Sequence, residues 1–279
     1  MSKITISVDN TSDMGEELYK KYNLEVIYFG VVIGDNLYRD TQVKPEDIYK
    51  AVEVEGLLPK TNAALEIDYR ELFERATQDG GHIIHLSMSD KLSASHSNAI
   101  RAAKGLERVH VIDTKSLSAG IGLLAIRATE MVKEGKSVEE IVTVISALKN
   151  KINISLMLKD LNYLYRGGRA SGLKLLGANI LKIRPSLIVT DGKIIPDRKF
   201  KGEYTHAIHE WTNFRLSDLD SIQKDMAFIV HSDIDVKLLE YIEEEMRKAG
   251  FKEVTRLMTG PTLTTHVGRN LVGTLFLQK

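Results

Sequence analysis

The stretch "HIIHLSMSDKLSASHSNAIRAAKGLERVHVID", residues 82–113, reads as strand, loop, helix and strand. The runs "HIIHLS" (82–87) and "RVHVID" (108–113) are short, apolar and β-branched, as buried strands are. "AIRAAKGL" between them carries helical spacing. Strands joined by a helical crossover pair in parallel, because parallel neighbours cannot be linked by a tight hairpin. A parallel sheet is covered by helices on both faces, so this one unit predicts an α/β fold.

The pattern continues outward. Toward the N-terminus, "KITISV" (3–8) is a strand, and "TSDMGEEL" opens a helix with Ser12 or Asp13 expected as N-cap. "EVIYFGVVIG" (25–34) reads as a single strand. "KPEDIYKAV" starts a helix at Pro45, and "IDYRELFERAT" is a further helix. Past residue 113, helices are expected around 118–134 and 137–149, the second opened by Ser137 and Glu140 in the S-x-x-E capping box. Residues 1–150 thus form an expected N-terminal α/β/α domain with a parallel sheet.

Residues 151–279 change character. "ISLML" is a strand and "YRGGRASG" a loop. "PSLIVTDGKIIP" is a hairpin turning at Asp191-Gly192. A helix near 203–216, the strand "MAFIVH", a helix over 236–249 and the strand "EVTRLM" follow. "GPTLTTHVGRN" reads as a loop before the last strand, "LVGTLFL". This half is expected to be an α+β domain with a mixed sheet.

Composition narrows the function. Lys plus Arg and Asp plus Glu each number 38, for a net charge of zero. A nucleic-acid partner calls for a basic excess to replace phosphate counterions, so none is expected. The absence of cysteine rules out disulfides, thiol catalysis and cysteine-bound metal. "MSKITISVDN" lacks the apolar centre of a secretory leader, and no run reaches the ~18 apolar residues of a membrane span. A soluble, cytoplasmic protein is the expectation.

Five serines fall between residues 87 and 97. A strand-to-helix turn presents unpaired N–H groups and the positive end of the helix dipole. Hydroxyls at Ser93 and Ser95 would add donors, so the turn suits an anion; the plainer role is helix capping. A nucleophilic serine would need a base and an orienting acid, and no G-x-S-x-G elbow occurs. Ser171 and Lys174 form an S-x-x-K without its companion motifs. His82 and His85 face opposite sides of a strand and cannot share a metal. His206 and His209 share a helix face, without a third ligand nearby. "RGGRASG" has the composition of a phosphate loop but not its Lys-Ser/Thr ending.

In order, "SVDNTSD", "KTNAAL", "SMSDKLSAS", "VIDTKSLSAGIGLLA", "LNYLYRGGRAS", "IRPSLIVTDGKIIP" and "GPTLTTHVGRNLVG" resemble the DegV family of bacterial fatty-acid-binding proteins across nearly the whole chain. The resemblance implies two domains enclosing a tunnel for one long-chain fatty acid such as palmitate, with no cofactor and no intrinsic catalysis. It assigns the carboxylate to Thr61 and Ser93, the latter following Ser89 in an S-x-x-x-S pattern. His266 and Arg169, with Asn62 and Ser95, are placed in the head-group network. It further implies a kinase-type partner that converts the presented acid to an acyl phosphate, with Lys201 at a partner contact and transient contact with a membrane surface. The chain departs from the family pattern at Asn62, at Ala63-Ala64-Leu65, at Lys201 and at Arg269 in "VGRN". The alternative is a serine-dependent acyl hydrolase using Ser93 and His266. A third, a phosphate-ligand enzyme of the related dihydroxyacetone kinase type, lacks a matching histidine motif.

Overall fold

The computed structural model describes residues 3–169 and 183–279. The Ser171–Lys174 pair and the end of "RGGRASG" lie outside the described residues.

The first half contains a four-stranded sheet, entirely parallel, in the order β2 (Glu25–Ile27), β1 (Ile4–Asp9), β6 (His82–Ser87), β7 (Val109–Asp113). The crossover from β6 to β7 is α4 (Ser95–Ala103), as its sequence predicts. Helix α3 (Glu66–Thr77) buries Tyr69, Leu72 and Phe73. Helix α6 (Val138–Leu148) carries the expected box: Ser137 N donates to Glu140 Oε2 at 2.8 Å and Glu140 N to Ser137 Oγ at 3.2 Å.

"EVIYFGVVIG" is not one strand. It breaks at Tyr28-Phe29, and its second part, β3 (Gly30–Ile33), joins β4 (Asn36–Arg39) and β5 (Lys60–Asn62) in a separate antiparallel sheet. Asn10 secures the break by accepting the Phe29 N–H on its Oδ1 at 3.1 Å. Neither Ser12 nor Asp13 caps α1 (Gly15–Lys21); Met14 precedes the helix and makes no side-chain cap bond. Asp13 instead adopts a left-handed conformation (φ 52°) and faces the second half of the chain. Helix α2 (Pro45–Glu53) starts at its proline as expected.

The second half is built on a six-stranded mixed sheet, in the order β10 (Lys193–Lys201), β9 (Ile183–Thr190), β8 (Ile152–Leu158), β13 (Leu271–Gln278), β11 (Ile222–Ser232), β12 (Glu253–Met258). Only β11 and β12 pair in parallel. The hairpin turns at Asp191 (φ 47°) and Gly192 (φ 76°), a two-residue turn with both residues at positive φ. Helices α8 (Tyr204–Arg215) and α9 (Val236–Lys248) cover one face around the fully buried Trp211.

Helix α5 (Ala119–Lys133) joins the halves, packing on β1 and β6 on one side and on β8 and β13 on the other. It is apolar nearly all round, as a helix between two layers must be. A Cβ at Gly120 would come within 2.8 Å of Ile154 Cδ1, so the small residue permits the close approach.

Two further helices lie wholly or partly where the sequence reads as loop. Asn162–Gly167 forms α7, reaching into "YRGGRASG", and Pro261–Val267 forms α10, lying within "GPTLTTHVGRN" and buried along most of its length. Among the described residues, no helix is long and apolar enough to cross a membrane.

Candidate functional site

Helix α10 is short and poorly patterned, and its N-terminal N–H groups are satisfied by carboxylates distant in sequence. Asp13 Oδ1 accepts Gly260 N–H at 2.9 Å, and Asp40 Oδ2 accepts Thr262 N–H at 2.8 Å and the Thr262 hydroxyl at 2.5 Å. Ser118 Oγ donates to the other Asp13 oxygen at 2.6 Å. Burial pushes the Asp13 carboxyl up to about 7, against the pull of Ser118 and Gly260. Asp40 is likewise raised by burial, opposed by its bonds from Thr262. Two buried carboxylates of the first half thereby dock a helix of the second.

The docked helix carries His266 to Thr61, 205 positions away in sequence. His266 Nε2 lies 2.8 Å from Thr61 Oγ1, on β5. Among the described residues His266 Nδ1 is buried without a partner, and a Cβ at Gly167 would fall inside its contact distance, so a glycine is required there. Burial, then the neighbouring Arg169 charge, push the His266 imidazole down to about 4, so the ring is neutral at pH 7. Of the two tautomers, the one protonated at Nε2 leaves only a buried acceptor unpaired, which costs less than an orphaned N–H. In that tautomer the ring donates to Thr61, whose own proton is free to point elsewhere.

Ser93 sits in the turn before α4. Its Oγ accepts Ser95 N–H at 3.2 Å, which again leaves a hydroxyl proton to donate. Arg169 follows α7 and is held by backbone carbonyls, Gly167 O at 2.7 Å from Nη1 and Leu92 O at 3.5 Å from Nε. Thr61, Ser93, Arg169 and His266 all line one cavity of about 230 Å³, whose other walls are Thr262 and apolar side chains including Phe29, Met88 and Leu263. Two hydroxyl donors and one guanidinium converge at an apolar chamber, an arrangement suited to a monoanion with an apolar body.

The other expected residues lie elsewhere. Ser95 is fully buried and does not line the cavity. Asn62, next to Thr61 on β5, faces a different cavity with Leu37 and Leu65. Ser89 donates to Gly192 O at 2.9 Å and ties the β9–β10 turn to the first half. Lys201 is exposed at the end of the edge strand β10. Arg269 stacks on Tyr49 with its guanidinium carbon 3.9 Å from the ring centroid, and pairs with Glu53 and Asp233. Arg269 thus serves the contact between halves.

The hydrolase reading gains no support. In the tautomer that donates to Thr61 the basic nitrogen of His266 is Nδ1, packed against Gly167; among the described residues no hydrogen bond joins the ring to Ser93 and no carboxylate orients it, and Arg169 has the wrong sign. A serine, histidine and aspartate do meet elsewhere, Ser7 Oγ 2.9 Å from His85 Nδ1 and His85 Nε2 3.4 Å from Asp9 Oδ1. All three are fully buried under Tyr69 and Phe73, where no substrate reaches. His82 on the same strand stacks on His110 instead, with ring centroids 5.8 Å apart.

Fold and site together define a three-sheet α/β protein with a largely apolar cavity headed by hydroxyls, a neutral histidine and an arginine. The DegV family model matches residues 3–279, and the chain belongs to that family. A fatty acid-binding protein of Thermotoga maritima is 30% identical over 280 residues, covering 97% of this chain and 96% of the relative. A DegV domain-containing protein of Caldanaerobacter subterraneus is 29% identical over 285 residues, 100% of both. Among solved structures, a DegV family protein from Thermus thermophilus described for its fatty acid binding superposes with a TM-score of 0.92. It is 25% identical, and the match covers 99% of this chain and 100% of that one. A DegV lipid binding protein from Thermotoga maritima gives a TM-score of 0.86 at 28% identity, covering 99% and 98%.

Proposed function

We propose that this protein binds one long-chain fatty acid, its carboxylate accepting hydrogen bonds from the hydroxyls of Thr61 and Ser93 beside Arg169. The carrying observation is the convergence of these groups with His266 on one apolar cavity. His266 acts through Thr61: donating to its oxygen, the imidazole orients the threonine proton toward the carboxylate. The tail supplies affinity. Burying about 15 methylenes releases about 12 kcal/mol of gross transfer free energy, reduced by ordering and association costs. At roughly 30 Å³ per water-sized group, a cavity of about 230 Å³ holds about eight heavy atoms, a carboxylate and about five carbons. A palmitoyl tail therefore displaces apolar side chains, and Met88, being unbranched, is the most adaptable of those lining it.

In this reading the protein is a carrier without catalysis of its own, presenting the acid to a kinase-type partner in the cytoplasm. The division into two domains near residue 150 belongs to the same reading, and the binding site draws on both. Arg169 belongs to the head-group site, whereas Lys201, exposed on an edge strand, is available to a partner or a membrane surface. The direct test is mass spectrometry of lipid extracted from protein purified without added ligand. Near one equivalent of long-chain fatty acid supports the reading. A preparation that is lipid-free and takes up none on incubation with palmitate overturns it.

A further inference from the structure

We propose a second ligand site, for a small organic anion, in the cleft where Lys115 and Lys149 of the first half face Arg215 of the second. The cleft has a volume of about 440 Å³, and none of the residues lining it lines the head-group cavity. The inference stands independently of the fatty-acid reading.

Arg215 carries the argument. Its Nε donates to Thr274 Oγ1 at 3.1 Å and its Nη2 to Asn153 Oδ1 at 2.6 Å. Its guanidinium carbon lies 4.7 Å from the centroid of the Phe276 ring. These contacts fix the plane of the group, yet both hydrogen-bond partners are neutral. Nη1 makes no hydrogen bond among the described residues, leaving that edge for the cleft. Burial pushes Arg215 down to about 10, offset only in part by the Asp197 charge. Residues 170–182 contain no Asp or Glu, so no carboxylate partner comes from that segment.

The surrounding charges have the same sense. Lys149 Nζ donates at 2.9 Å to a backbone carbonyl, that of Asp113, and makes no ion pair among the described residues. Lys115 is neutralised by Asp191 at 2.5 Å. The remaining carboxylate of the cleft, Asp197, accepts from Ser186 Oγ at 3.4 Å and makes no ion pair with Arg215. Two cations are thus left facing one carboxylate. Ile154, Ile188 and Phe214 add an apolar wall. At roughly 30 Å³ per water-sized group the cleft takes about fourteen heavy atoms, the size of a phosphate or carboxylate on a compact apolar body. Such a ligand would touch both halves at once.

Isothermal titration of the purified protein with phenyl phosphate, benzoate and benzyl alcohol tests the site. Saturable binding of either anion, but not of the alcohol, is expected, weakening as sodium chloride is added. Preference between the two anions then separates phosphate from carboxylate recognition. Arg215→Gln should weaken binding about 10- to 100-fold, the loss of a hydrogen bond to a charged group. Because Arg215 also braces Asn153, Lys149→Gln serves as a second variant on a less integrated side chain, expected to weaken binding several-fold. Both variants should keep their copurified lipid. No saturable binding of either anion at low-millimolar concentration overturns the proposal, as does wild-type affinity in both variants.

Discussion

At its N-terminal end α10 is held by two buried carboxylates, Asp13 and Asp40; about 9 Å further along the helix axis, His266 sits among hydroxyls beside a guanidinium. One end is acidic and fully bonded. The other is neutral, with an unpartnered ring nitrogen and hydroxyl protons left over. Burial acts on both, raising the carboxylates and lowering the imidazole, because in each case it disfavours the charged form. The contrast separates holding from binding: the saturated end fixes the helix, and the unsaturated end keeps capacity for a ligand.

Breaking the holding end should have the largest effect. Asp40→Ala leaves the Thr262 N–H and hydroxyl without their shared acceptor, at a cost of about 2–5 kcal/mol in denaturant unfolding. Lipid retention should fall with it, since the helix carrying His266 loses its anchor. Retention at the wild-type level would show that α10 is positioned by packing alone.

Protonation sharpens the comparison, because the two ends have opposite signs. The folded-state value of His266 lies below its unfolded value, 6.5 against about 4, so its contribution to stability is present above pH 6.5 and is lost as the pH falls toward 4. The loss is at most about 3 kcal/mol, and His266→Gln should remove it from a series of unfolding curves between pH 7 and pH 4. Asp13 is the reverse case, raised from 3.8 to about 7, so its cost grows as the pH rises across that interval. Asp13→Asn keeps an oxygen for Gly260 N–H and should flatten that dependence, leaving stability at pH 8 within about 1.5 kcal/mol of wild type. A variant as pH-dependent as wild type would mean that Asp13 ionises freely in the folded protein.

The smallest expected effect is at the binding end. Ser93→Ala removes one of two hydroxyl donors and should weaken fatty-acid binding about ten-fold, with stability nearly unchanged. A large loss of stability would instead mark Ser93 as a structural cap for the turn before α4.

These two ends were unequally legible in the sequence. The β6–α4–β7 unit, the Ser137 capping box and the Asp191-Gly192 hairpin all follow from local patterns, and the structure keeps them. "GPTLTTHVGRN" carried a proline suited to a first helical position, yet its seven helical residues offer little periodicity, and the acceptors that complete it are supplied by Asp13 and Asp40. No local rule foresees a cap provided from more than 200 positions away. "EVIYFGVVIG" failed for a related reason: both parts are strand, and apolar periodicity does not register a change of sheet. Ser93 is legible as an anion donor from its strand-to-helix turn, whereas Thr61, Arg169 and His266 follow only from resemblance to the family. Composition and motif identified these residues, but only the fold places them on one cavity and leaves Ser95 and Asn62 outside it.

The central claim is that hydroxyls head the cavity in order to hold a carboxylate. A crystal structure of the protein with a bound long-chain fatty acid tests it most directly. The account predicts one carboxylate within hydrogen-bond distance of both Thr61 Oγ1 and Ser93 Oγ, with the tail passing among Phe29, Met88 and Leu263. A bound acid whose carboxylate touches neither hydroxyl would contradict it.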